Sequence, residues 1–192
     1  MTATDPVPTA AAIAARTAAL EAAYRRVEEA SMRGLPVHNP ALRVEALGLQ
    51  PWDLTAAGLG AGLLGVVVTP WCMNVVLLPA DPAAWDALAE GEKHDLALPC
   101  GSISFTAGRL EGVGPLLTAS LFSPMQDFAD HEGAVITARF ALADLLNQPP
   151  AEAPPPEARR RRTEGPPPKA AVDLSRRAAL GMGRAPRGRG PR

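Results

Sequence analysis

From Ala10 to Met32 the larger apolar side chains Ile13, Leu20, Tyr24 and Val27 recur at intervals of seven, four and three, which draws one stripe along a helix. Glu21 stands four residues ahead of Arg25, the favourable order for a surface pair, and Gly34 with Pro36 supplies a stop. The pattern then changes. Leu63 to Thr69 and Val75 to Leu78 are β-branched and leucine-rich runs either side of Pro70-Trp71-Cys72-Met73-Asn74, which predicts two adjacent buried strands joined across a bend. Asp81-Pro82 reads as an N-cap followed by proline at the first helical position, with Trp85 and Leu88 on one face of a short connecting helix that ends near Gly91.

Ser102-Ile103-Ser104-Phe105-Thr106 alternates strictly, placing Ile103 and Phe105 on one face and the hydroxyls on a face that sees water. Ala107-Gly108 is expected to turn the chain, and Leu116 to Phe122 to form a further strand after a glycine-rich segment. Val135, Ala138, Leu142 and Leu145 mark an amphipathic helix from about Asp130 to Leu146. Strands in succession, bracketed by helices, give the fold class: α+β, with a mostly antiparallel β-sheet on which an N-terminal helix, a short connecting helix and a C-terminal helix pack.

Composition changes sharply after Asn147. Pro149-Pro150, Pro154-Pro155-Pro156, Arg159 to Arg162 and Pro166-Pro167-Pro168 cannot bury enough apolar surface to offset their ordering entropy. The expected organisation is a flexible N-terminus (1–9), an α+β domain (10–147) and a disordered Pro/Arg-rich basic tail (148–192). A net charge near zero hides this division: residues 1–148 carry 8 basic and 16 acidic side chains, and residues 149–192 carry 11 basic and 4 acidic ones. The most apolar stretch, Leu63 to Leu78, is broken by Thr69, Pro70 and Asn74 and falls short of the ~20 residues that span a bilayer, so no membrane insertion is expected. The N-terminus lacks the basic start and leucine-rich centre of a secretion signal, and the cysteine usage fits a reducing cytoplasm.

Chemistry is hard to find. Cys72 and Cys100 are too few for a disulfide framework, no Cys-x-x-Cys pair exists, and neither cysteine has a local nucleophile signature with His38, His94 or His131. Buried strand cysteines are the simpler reading. The histidines are scattered, so no metal and no cofactor is expected. Gly58-x-Gly60-x-x-Leu63 lacks the third glycine of a dinucleotide fingerprint, and Trp52 to Ala57 before it do not resemble a strand. The run Arg159 to Arg162 has no interleaved aromatic, and the folded part is acidic, which argues against nucleic acid. What stands out are Thr69-Pro70-Trp71-Cys72-Met73-Asn74 and Ser123-Pro124-Met125-Gln126-Asp127-Phe128, two strand ends that combine proline with Met and a large aromatic. These side chains either cap the core or offer an adaptable apolar surface to a partner.

The segments Asn39-Pro40-Ala41-Leu42-Arg43-Val44-Glu45-Ala46, Gly65 to Asn74, Leu98-Pro99-Cys100-Gly101 and Ser123-Pro124-Met125 resemble, in order and spacing, the HybE/HupJ family of assembly chaperones for nickel-iron hydrogenases. The resemblance covers roughly 31–146. It implies a cytoplasmic, non-enzymatic accessory factor that binds hydrogenase small- and/or large-subunit precursors, and that holds back export of the twin-arginine-signalled small subunit until assembly is complete. Some relatives carry a fused rubredoxin with two Cys-x-x-Cys knuckles; that module is absent here, so no iron is implied. By side-chain type and placement at turns, Trp71, Met73, Asn74, Met125 and Phe128 are the expected partner-binding residues, with Trp71, Met73, Met125 and Phe128 expected to be exposed. Two other readings stay open: a scaffold that links maturation factors through its tail, and a small metal-delivery or electron-transfer accessory protein. In the tail, Ser175-Arg176-Arg177-Ala178-Ala179-Leu180 resembles a degenerate twin-arginine motif, with Arg176, Arg177 and Leu180 as its marked residues. Chance in an Arg- and Ala-rich tail competes with a role in masking the precursor site.

Overall fold

Residues 64, 66 and 68 of one apolar run and 73, 75 and 77 of the next face the same way, and so do 63, 67, 76 and 78 on the other side. Both faces of this hairpin must therefore be covered. In the computed structural model, which describes residues 8–147, they are. Strands β1 (Glu45–Asp53), β2 (Ala61–Val68), β3 (Met73–Pro79), β4 (Lys93–Leu98), β5 (Gly101–Leu110) and β6 (Gly114–Phe122) form one antiparallel sheet in the order β1-β2-β3-β6-β5-β4. Helix α1 (Ala10–Val27) covers one face, burying Leu20, Ala23 and Tyr24 against Leu63, Val67, Val76, Leu78 and Leu116. Helix α2 (His131–Asn147) covers the other, burying Ala134, Val135, Ala138, Leu142 and Leu145 with Leu64, Val66, Val75, Leu77, Phe105 and Leu117. The expectations for residues 1–7 and for the tail 148–192 lie outside the described residues.

Local chemistry accounts for the ends. The Thr9 side chain caps α1 by accepting from the Ala12 N–H at 3.2 Å. The expected Glu21–Arg25 pair forms at 2.6 Å, and the other Glu21 oxygen accepts from the Ala46 N–H, tying α1 to β1. Past Val27 the helix loosens into one π-helical turn, Glu28–Met32. Asp81 caps its segment as predicted, but the connecting helix is only a 3-10 turn, Pro82–Trp85. Gly91, at φ +85°, bends the chain and gives its N–H to the Ala107 carbonyl, drawing the following residues into β4. Trp85 is buried and its indole N–H donates to the Leu59 carbonyl at 2.9 Å.

Three expectations need correction. Ala107-Gly108 does not turn the chain: Gly108 lies in register opposite Leu116, β5 runs on to Leu110, and the reversal falls at Gly112, which has φ +79°. Trp52 and Asp53 are strand, the last residues of β1, paired with Gly62 and Ala61. The cysteines sit in turns rather than strands, Cys72 between β2 and β3 and Cys100 between β4 and β5, both half-buried. The sheet's two edges are β1, which is bulged between Leu47 and Gln50 and carries Pro51, and β4, which is short and turns Lys93 and Asp95 to solvent. Such features discourage edge-to-edge pairing.

A three-loop candidate site

At the end of the sheet where β2 turns into β3, three loops distant in sequence meet on one residue, Asn39. Asn39 donates its backbone N–H to the Pro70 carbonyl at 2.8 Å, and its side-chain nitrogen donates to the Met125 carbonyl at 3.0 Å and the Phe128 carbonyl at 2.8 Å. Its side-chain oxygen accepts from the Ala41 N–H at 3.0 Å, the local bond an Asn-Pro turn favours. A further contact beside it runs from the Gln126 amide to the Pro36 carbonyl at 3.0 Å. The loop from Arg33 to Leu42, the β2–β3 turn and the loop from Ser123 to Asp130 are thereby clasped together.

The β2–β3 turn is rigid for a local reason. Thr69 is fully buried; its hydroxyl oxygen accepts from the Cys72 N–H at 2.9 Å and donates to the Cys72 carbonyl at 2.7 Å. The Cys72 thiol lies against Thr69, Asn74 and Tyr24. Burial pushes it above its ordinary value, the Thr69 and Asn74 hydrogen bonds only partly opposing this, and burial likewise raises the Tyr24 phenol. A thiol held protonated is a poor nucleophile.

Of the five expected partner residues, Trp71, Asn74 and Phe128 are half-buried and reach the surface in part, while Met73 and Met125 do not. Both methionines are fully buried, which corrects the expectation of exposure. Met73 opens β3 opposite Val68 and Phe122 and points into the core under α2. Met125 turns inward beneath its own clasped carbonyl. Trp71 leans on Tyr24 with ring centroids 6.3 Å apart, so it also caps the core on the α1 side. Sequence reasoning missed Asn39 as the clasp and the exposed Leu35, Val37 and Phe122. Phe122 meets Phe128 edge to face at 5.5 Å. The sequence signal for the clasp is Asn39-Pro40, a pair that favours a turn bonded by the Asn side chain. The tail residues Arg176, Arg177 and Leu180 lie outside the described residues.

The histidines take separate structural posts. His38 bonds to Glu28 at 3.0 Å beside an open depression of about 480 Å³ lined by Leu35, Pro40 and Leu42. His131 accepts at Nδ1 from the Arg43 N–H, which leaves the proton on Nε2 to be donated to Glu45 at 2.9 Å; this pair fastens the start of α2 to the start of β1. His94 sits on β4, 3.7 Å from Glu92. Among the described residues no three metal-capable side chains gather, and no helix is long and apolar enough to cross a membrane.

The described residues thus form a two-faced α+β domain whose distinctive surface is a braced cluster of apolar loops. The family model for the HybE chaperone of [NiFe]-hydrogenase assembly matches residues 15–181, and the chain belongs to that family. It is 40% identical over 146 residues to the hydrogenase expression/formation protein HupJ of Bradyrhizobium diazoefficiens, covering 76% of this chain and 80% of that one. It is 47% identical over 116 residues to the hydrogenase expression/formation protein HupT of Azotobacter chroococcum, covering 60% and 72%. The solution structure of HybE from Escherichia coli superposes with a TM-score of 0.53 at 27% identity, covering 68% of this chain and 76% of that one.

Proposed function

We propose that the three-loop end grips an apolar stretch of a hydrogenase subunit precursor in the cytoplasm, the twin-arginine-signalled small subunit, the large subunit or both, until assembly is complete. The observation that carries this reading is the Asn39 clasp: it gathers three segments of the family resemblance at one place, from which Leu35, Val37, Phe122 and the edges of Trp71, Asn74 and Phe128 emerge. Rigid support with apolar tips suits a binding surface, because little conformational entropy is lost when a partner arrives. The exposed acids Glu29, Asp127 and Asp130 favour encounter with a basic n-region, while apolar contact supplies most of the affinity. Met73 and Met125 act from below, shaping the loops.

The test uses the full chain and purified precursors of each subunit. A Phe122→Ser/Phe128→Ala double variant is expected to lose roughly 10-fold or more in affinity, the scale of a hot-spot truncation. Lys93→Ala on the far edge strand should bind as the parent does. Unchanged affinity in a folded double variant overturns the assignment of this surface.

The family match continues to residue 181 and so takes in Arg176, Arg177 and Leu180. That supports a second element of the reading, in which the twin-arginine-like segment competes for the precursor site from within the chain.

A further inference from the structure

Among the described residues, one face of helix α2 has no cover. Ile136 and Phe140 stand one turn apart on it, 46% and 69% exposed, and with Ala143 and the stem of Arg139 they line a shallow apolar depression. Scattered exposed apolar residues need no explanation, but two large ones in one helical stripe mark a surface that is covered by something. The opposite face of α2 is committed to its own sheet.

The flanking charges say what covers it. With Phe140 at heptad position a and Ile136 and Ala143 at d, Arg139 falls at g and Asp144 at e; neither takes part in an ion pair among the described residues. In a parallel pair of helices a g residue faces the e residue five positions on in the partner, so Arg139 of each copy meets Asp144 of the other. An antiparallel pair sets g against g and e against e, which brings like charges together. In the parallel arrangement Ile136 and Phe140 meet their own counterparts in successive layers, and Ala143 leaves room beside the rings.

We propose that a second copy of this chain covers this face, α2 pairing in parallel with α2 of the partner about a two-fold axis along the helices. The pairing stands apart from the precursor-binding reading. If that reading holds as well, both three-loop ends, which lie at the N-terminal end of α2, face the same way and the dimer is bivalent. One helix face is small beside the ~1,200 Å² at which standard stable interfaces begin, so the association is weak and shows at high concentration.

Sedimentation velocity of the full chain from about 5 to about 500 µM, a range that brackets weak association, is expected to show the mean mass climbing from monomer towards dimer. Phe140→Asp should hold the chain monomeric. Arg139→Glu and Asp144→Arg should each weaken association, roughly 3- to 10-fold at low salt, and the double variant should recover it because the charges exchange places. A chain monomeric throughout leaves the face to the tail or to a precursor and overturns the proposal. Self-association that survives Phe140→Asp, or a double variant no better than the single ones, overturns it equally. Circular dichroism confirms that each variant is folded.

Discussion

Asn39 uses every polar group it has: two side-chain donations, one side-chain acceptance, a backbone donation to Pro70 and a backbone acceptance from Leu42, spread over five other residues. Replacing it by Ala strands two carbonyls in a partly buried setting, at a cost of ~1–3 kcal/mol. Asn39→Asp is no remedy, since a carboxylate cannot donate to them. Urea unfolding of Asn39→Ala is expected to show that loss, and precursor affinity should fall with it because the loops no longer share a brace. Cys72 and Tyr24 carry a pH signature. Burial raises both folded pKa values above their ordinary 9.0 and 10.0, so as the pH climbs the unfolded chain gives up these protons first. Their contribution to stability is complete below about pH 9 and fades as the pH rises towards and through the raised values. The urea midpoint should therefore drop above about pH 9, and Tyr24→Phe should flatten the drop.

Among the elements, β1 and β4 were the ones the pattern of apolar positions did not announce. β1 has its period of two broken by the bulge between Leu47 and Gln50, where Gly48 sits at φ +62°, and ahead of it Ala46 and Leu47 are both buried because they face opposite, covered sides of the sheet. β4 is an edge strand whose Lys93, Asp95 and Ala97 face solvent, so only Leu96 and Leu98 are fully buried. The β2–β3 hairpin and both long helices were legible because their burial is regular. At the candidate site, the sequence showed which loops carry aromatics and methionines but not which way each side chain points: Met73 and Met125 fill core space that a turn-by-turn reading cannot see. Gly48 also offers a test. A Cβ there would strike the Leu142 side chain, and its backbone angle disfavours any L side chain. Gly48→Ala should therefore cost ~2 kcal/mol or more, read as a lowered thermal midpoint.

At the scale of the whole chain, the basic tail and the acidic domain invite a competition experiment within the full-length protein. Arg176→Gln/Arg177→Gln should tighten binding of a synthetic twin-arginine signal peptide severalfold if the tail segment masks the site, since a tethered competitor works at roughly millimolar effective concentration. Unchanged affinity would sink that idea. The strand order carries a further consequence. β1-β2-β3 and β4-β5-β6 are each built from neighbours in sequence, and a single pairing, β3 with β6, stitches these two meanders into one sheet. That seam closes the longest loops and is the step with the largest entropy cost in folding. At one end it is terminated by the Met73–Phe122 pair, immediately beneath the clasped loops. Amides along Val75–Leu77 and Leu117–Ala119 should exchange with solvent only on global unfolding. If the three-loop end is the surface that grips a client, its last loop, Ser123 to Asp130, follows β6 in the chain, so that surface is complete only once translation has passed both.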